Sequence, residues 1–104
     1  MNIRSWKFNR DIIRIKLDDI YYIESYNRKT VVHTSFGTYR IQTTLNREEE
    51  LLKEYGFLRA HRGYLVHTAY IRALKGNYLV LQNGTQIPVS YRKRKKILQD
   101  LMER

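Results

Sequence analysis

The sequence predicts a mainly β domain with two helices at most, and three observations carry that prediction. The first two-fifths alternates apolar and polar residues with period two, or collects β-branched and aromatic residues in short runs. Near the C-terminal third, Asn83-Gly84 separates two apolar runs, a strong hairpin signal. Only two segments combine a capping residue with helical spacing. With 104 residues and neither repeats nor Pro/Gly/Ser linkers, the chain fits one domain spanning 1–104.

The elements follow in order. Ile13-Arg14-Ile15-Lys16-Leu17 alternates as a half-buried strand does. Ile20–Ser25 and Lys29–Thr34 are strands, and the polar Tyr26-Asn27-Arg28 between them predicts a hairpin. Phe36-Gly37 turns the chain into a strand over Thr38–Gln42. A first helix then starts at Thr44 as N-cap, or at Asn46 with Glu49 closing a capping box. Its Glu48-Glu49-Glu50 triplet is placed in the first turn, where it suits the helix dipole, and Leu45, Leu51 and Leu52 form its apolar stripe. Tyr55-Gly56 ends it. Extended segments follow at Phe57–Arg59, Tyr64–Val66 and Tyr70–Leu74, then the hairpin Tyr78–Leu81/Gln86–Val89. Pro88 lacks an N–H, which assigns its strand to an edge. Ser90 is expected to cap a last helix whose Ile97, Leu98, Leu101 and Met102 dock on the sheets, leaving Arg92, Lys93 and Lys96 outward.

Composition narrows the partner. Twenty Lys and Arg against ten Asp and Glu give a formal charge of +10, which points to a polyanion, nucleic acid before an anionic membrane surface. Glu48, Glu49, Glu50 and Glu54 hold four of the ten acids, so the remaining surface is more basic than the mean. Cysteine is absent, which excludes disulfides and thiolate chemistry and suits a reducing cytoplasm. The N-terminal residues are broken by charge rather than forming a signal h-region, and no apolar run is long enough to span a bilayer. A soluble cytoplasmic protein with no membrane insertion is expected.

Two segments carry chemistry. Phe57-Leu58-Arg59-Ala60-His61-Arg62-Gly63-Tyr64 sets an Arg-His-Arg cluster beside a strand. Pro88-Val89-Ser90 runs into the basic Tyr91-Arg92-Lys93-Arg94-Lys95-Lys96. Arginine recognises phosphates and guanine edges with several donors in one plane, while lysine adds point charge. The pattern reads as a module for double-stranded DNA.

These residues resemble the LytTR DNA-binding domain, the output module of LytR/AlgR-type bacterial response regulators. The resemblance runs from Asp19-Ile20-Tyr21-Tyr22-Ile23-Glu24 through Val32-His33-Thr34 and Thr44-Leu45 to the last helix. Its most specific parts are Phe57-x-Arg59-x-His61-Arg62-Gly63-Tyr64-Leu65-Val66 and Asn83-Gly84-x-x-Ile87-Pro88-Val89-Ser90. It implies an elongated sandwich of small antiparallel sheets with one short helix and a C-terminal helix. It also implies loops inserted into successive major grooves at paired direct repeats in promoters. By position, the implied DNA-binding residues are Asn27, Arg28 and Lys29 in one loop, Arg59 and Arg62 in a second, and Ser90, Tyr91, Arg92 and Lys93 in a third. His67 stands where the family usually has Asn, and Tyr91 where it often has Arg. No receiver domain lies within these residues, so the chain reads as a stand-alone regulator or the output piece of a longer one.

Other readings are weaker. Lys93 to Lys96 cannot all face DNA, because a helix turns ~100° per residue. Arg59 is torn between DNA and packing along its stem. His61 is better explained by a hydrogen bond to a backbone carbonyl than by catalysis, and His33 by packing. His33, His61 and His67 lack zinc-site spacing, so neither metal nor cofactor is expected. No phosphate-cradling glycine loop or nucleophile–base pair supports an enzyme. A single-stranded nucleic-acid binder of OB type is the alternative, but it would carry basic and aromatic residues on strands rather than loops. Docking to an acidic protein or lipid follows from charge alone. Two copies on adjacent half-sites, a homodimer formed on DNA, would explain direct repeats.

Overall fold

A computed structural model of the chain describes residues 2–104, folded as three antiparallel sheets and two helices. Strands β1 (Ile3–Phe8) and β2 (Asp11–Lys16) form a hairpin of their own. The central sheet has the order β5-β4-β3-β7-β6, from β3 (Ile20–Tyr26), β4 (Lys29–Thr34), β5 (Gly37–Ile41), β6 (Phe57–His61) and β7 (Tyr64–His67). The third sheet, β10-β9-β8, is built from β8 (Ile71–Lys75), β9 (Tyr78–Leu81) and β10 (Gln86–Pro88). Helix α1 (Leu45–Leu52) links the two halves of the central sheet, and α2 (Arg94–Glu103) closes the chain. The molecule is elongated, 41 × 27 × 24 Å.

The anticipated hairpins form. β3 and β4 turn at Asn27-Arg28, and β10 is an edge strand, as the missing N–H of Pro88 requires. β1 is the element that sequence reading passed over. Its Trp6 is buried, with Arg4 and Phe8 half-buried on the same side, an alternation interrupted at each step by an exposed residue. Thr44 caps α1 by accepting the Arg47 N–H at 3.2 Å, so the capping box at Asn46 is not used.

The helix stripes depart from expectation. In α1 only Glu48 of the glutamate triplet lies in the first turn, and it is fully buried; Leu51 is exposed instead of joining Leu45 and Leu52. Glu48 is compensated completely. Arg4 donates to both its oxygens at 3.0 and 2.9 Å, Trp6 Nε1 donates at 3.0 Å, and the Thr43 hydroxyl donates at 2.7 Å. The carboxylate thus pins β1 to α1, which is why helical spacing of leucines alone misjudges this face. In α2, Ile97 is buried and Leu101 half-buried, while Leu98 and Met102 stay exposed. Ser90 makes no side-chain cap: it precedes a 3-10 turn over Tyr91–Lys93, and its carbonyl accepts the Lys93 N–H at 2.9 Å.

Two cores flank the central sheet. Ile23, Val32 and Leu65 face the β1–β2 hairpin and α1, packing with Trp6, Ile15 and Leu52. Val66 and Ala60 face the third sheet and α2, packing with Leu79, Leu81, Ile87 and Ile97. Each fully buried Ile or Leu contributes ~1.5–3 kcal/mol of apolar burial, enough to hold the sheet rigid from both sides.

Candidate nucleic-acid interface

One end of the central sheet collects the turns singled out from the sequence. Two of them connect β3 to β4 and β6 to β7, and Ser25 N donates to Gly63 O at 2.9 Å between them. A Cβ on Gly63 would sit 3.3 Å from the Ser25 carbonyl oxygen, so glycine permits this close approach. The third segment arrives beside them. The β6–β7 register skips Ala60, and its carbonyl accepts the Ser90 N–H at 2.9 Å. Backbone hydrogen bonds therefore tie all three predicted segments to one end of one scaffold.

Within this end the side chains differ. Asn27 and Arg28 both adopt left-handed backbone, with φ of 55° and 64°, the paired positive values of a tight two-residue hairpin. Both are exposed, as is Lys29. Arg62 is exposed at the tip of the β6–β7 turn, Tyr91 is 87% exposed, and Arg92 projects beside it. Lys93 is half-buried, and so is Ser90, whose backbone rather than hydroxyl is engaged.

Arg59 faces inward. Its guanidinium donates to Glu49 Oε1 at 2.8 Å, Asn46 Oδ1 at 2.9 Å, His61 O at 3.0 Å and Arg62 O at 2.5 Å. With only 11% of the side chain exposed, its charge is spent on α1 and on shaping the turn that presents Arg62. Sequence reasoning left Arg59 between packing and DNA contact, and had no means of placing Glu49 beside it across the fold.

The histidines are structural. His61 Nδ1 accepts the Gly63 N–H at 3.2 Å; the expected carbonyl partner is replaced by a backbone donor inside the turn. His67 Nδ1 lies 3.1 Å from Ile20 O and, facing a carbonyl, must be the donor; the ring stacks on Phe57. His33 stacks on Tyr22 and bonds Glu24 at 2.7 Å. Among the described residues no three His, Cys, Asp or Glu side chains cluster to hold a metal.

Beside His33, burial pushes the Tyr22 hydroxyl up to about 12, with the Glu24 charge and Tyr64 adding to the effect. Burial also raises Tyr64, helped by the nearby Glu24 charge. Burial keeps both phenols neutral, and Glu24 beside them is half-buried and paired with His33.

Sequence reasoning missed part of this end. The β1–β2 turn at Asn9-Arg10 reaches it, because Gln42 N donates to Lys7 O at 3.0 Å and Asn9 N donates to the Gln42 side chain at 2.9 Å. Arg40 extends over the Phe8 ring, 5.2 Å from its centroid. The alternation of Arg4, Trp6 and Phe8 followed by Asn-Arg-Asp was the available signal.

A rigid β scaffold presenting exposed cations on short turns at one end defines a polyanion-binding module. The chain belongs to the LytTR family: residues 10–102 match the LytTr DNA-binding domain. It is 32% identical over 80 residues to the transcriptional regulatory protein LytR of Staphylococcus aureus (strain N315), covering 72% of this chain and 32% of that protein. It is 30% identical over 84 residues to the sensory transduction protein LytT of Bacillus subtilis (strain 168), covering 76% and 35% respectively. The chain thus spans about a third of the length of these relatives. A solved LytTr DNA-binding domain from Bacillus cereus superposes with a TM-score of 0.81 at 24% identity, over 98% of this chain and 97% of that one. That likeness speaks to the fold. The OB-type alternative falls: three separate open sheets are not a five-stranded Greek-key barrel, and the family is a different one. No helix among the described residues is long and apolar enough to cross a membrane.

Proposed function

We propose that this DNA-binding domain reads duplex promoter DNA by sequence, with its three turns entering successive major grooves at paired direct repeats. The observation that carries the reading is the backbone tethering of the three segments at one end, with Arg28, Arg62 and Arg92 exposed there. Short turns held together at one end support the reading, because each carries an exposed cation able to meet a phosphate or a base edge. Arg28, Arg62 and Arg92 address base edges or phosphates, with Asn27, Lys29, Tyr91 and Lys93 beside them. Ser90 holds its segment through the backbone. Arg59 acts as the positioning residue of the second loop rather than as a contact.

Residues 1–104 form one such domain, working without enzyme activity or cofactor as all or part of a cytoplasmic transcriptional regulator. Two copies on adjacent repeats bind more tightly than one by linkage, which supports a homodimer formed on DNA. Selection from a random duplex library with the 104-residue protein, followed by anisotropy at two salt concentrations against single-stranded competitor, tests the reading. Enrichment of a short motif in direct repeat, with duplex preferred, is expected. Failure to enrich any motif, or better competition by single strands, overturns it.

A further inference from the structure

The geometry points to a phosphate seat in the cleft between the β1–β2 turn and strands β4 and β5, which takes one backbone phosphate of the DNA that the neighbouring turn reads. The cleft measures about 280 Å³ and is lined by Arg28, Lys29 and Arg40 together with Asn9, Gln42 and Thr43, without an acidic side chain. None of the three cations has a carboxylate within ion-pair distance among the described residues, although four of the molecule's other basic side chains and His33 do.

Three like charges around one concavity repel one another, and a bound anion relieves that repulsion. The seat is also built rather than merely charged. Arg40 is steadied by the Phe8 ring, 5.2 Å away, so its guanidinium is held without being neutralised. The β1–β2 turn is locked against β5 through the Asn9–Gln42 and Gln42–Lys7 hydrogen bonds, and Thr30, which also lines the cleft, donates its hydroxyl to Thr43 O at 2.8 Å. Arg28 and Lys29 form one wall and also belong to the β3–β4 turn. When that turn lies in a groove, the sugar-phosphate strand bordering the groove passes over the cleft. The inference rests on the duplex reading proposed above and extends the interface to β1, β2 and β5.

The test is the salt dependence of duplex binding by the whole chain carrying R40Q, which keeps much of the stem while removing the charge. The slope of log K against log salt should become shallower by about 0.9, the value of one phosphate contact. Preference for the selected duplex over random duplex should be unchanged. Neutral methylphosphonates introduced singly beside the motif should weaken wild type at one phosphate and leave R40Q indifferent to that same replacement. If R40Q melts below wild type, R40M, which keeps an apolar stem against the Phe8 ring while removing the charge, is read in its place. Arg72→Gln, on β8, should leave the slope as it is. An R40Q slope equal to wild type, or equal sensitivity of both proteins to every methylphosphonate, overturns the seat alone. Absence of duplex binding by wild type overturns the duplex reading and the seat with it.

Discussion

Arginines in this domain divide by what already holds them. Arg59 is surrounded by four acceptors, whereas Arg62 and Arg92 are exposed without a carboxylate partner among the described residues. Arg92→Ala should weaken binding to the selected duplex by ~1–3 kcal/mol, the value of a bidentate base contact, with no change in melting temperature. Anisotropy and thermal melting check this together, and unaltered affinity would remove Arg92 from the interface. Arg59→Lys should lower both stability and affinity, since an ammonium cannot reproduce a fork that reaches Glu49, His61 and Arg62 at once. Glu48 is the most demanding single residue. Glu48→Ala strands Arg4 and Trp6 Nε1 and should cost about 3 kcal/mol in urea unfolding; a loss below about 1 kcal/mol would mean that the carboxylate is not needed.

Turn chemistry decides matters at the level of elements. Arg28 sits at φ 64°, where glycine is the easier residue. Arg28→Gly should therefore stabilise the β3–β4 hairpin by about 0.5–1 kcal/mol while weakening DNA binding. Denaturant midpoint and affinity moving in opposite directions is the expected signature; a fall in both would show that Arg28 supports the fold. The elements most legible in the sequence were those with local signals: the β3–β4 and β9–β10 hairpins, the Thr44 cap and the Pro88 edge. Those settled by distant partners were not. β1 needs β2 and α1 to explain Trp6, the burial of Glu48 depends on Arg4 some forty residues away, and Arg59 meets Glu49 only after β6 packs beside α1. The three loops were legible as candidates because the family resemblance fixes their positions and each carries an arginine. The Arg40 cleft was not, because its walls come from three separate hairpins or strands.

Over the whole molecule, the central sheet joins two cores and carries a set of neutral phenols. Tyr22 ionises at about 12 in the folded chain against an ordinary 10.0. Its contribution to stability is therefore complete below pH 10 and is lost as pH climbs toward 12, because the unfolded chain releases the proton first. The stability difference between wild type and Tyr22→Phe, from urea melts, should stay level between pH 7 and 9 and shift against wild type between pH 10 and 12. A shift in favour of wild type would contradict this assignment. The β3–β7 ladder has a different bearing. It is the one pairing in the described sheets between strands that are not consecutive, and Ser25–Gly63 lies just beyond its end. The other pairings close over short connections, while this one must close a loop containing β4, β5, α1 and β6. Folding speed and competence to bind DNA are thereby tied to the same event. A chain stalled before that ladder zips would hold its hairpins but keep the β3–β4 and β6–β7 turns apart, so an unfinished molecule would lack the surface proposed to meet DNA.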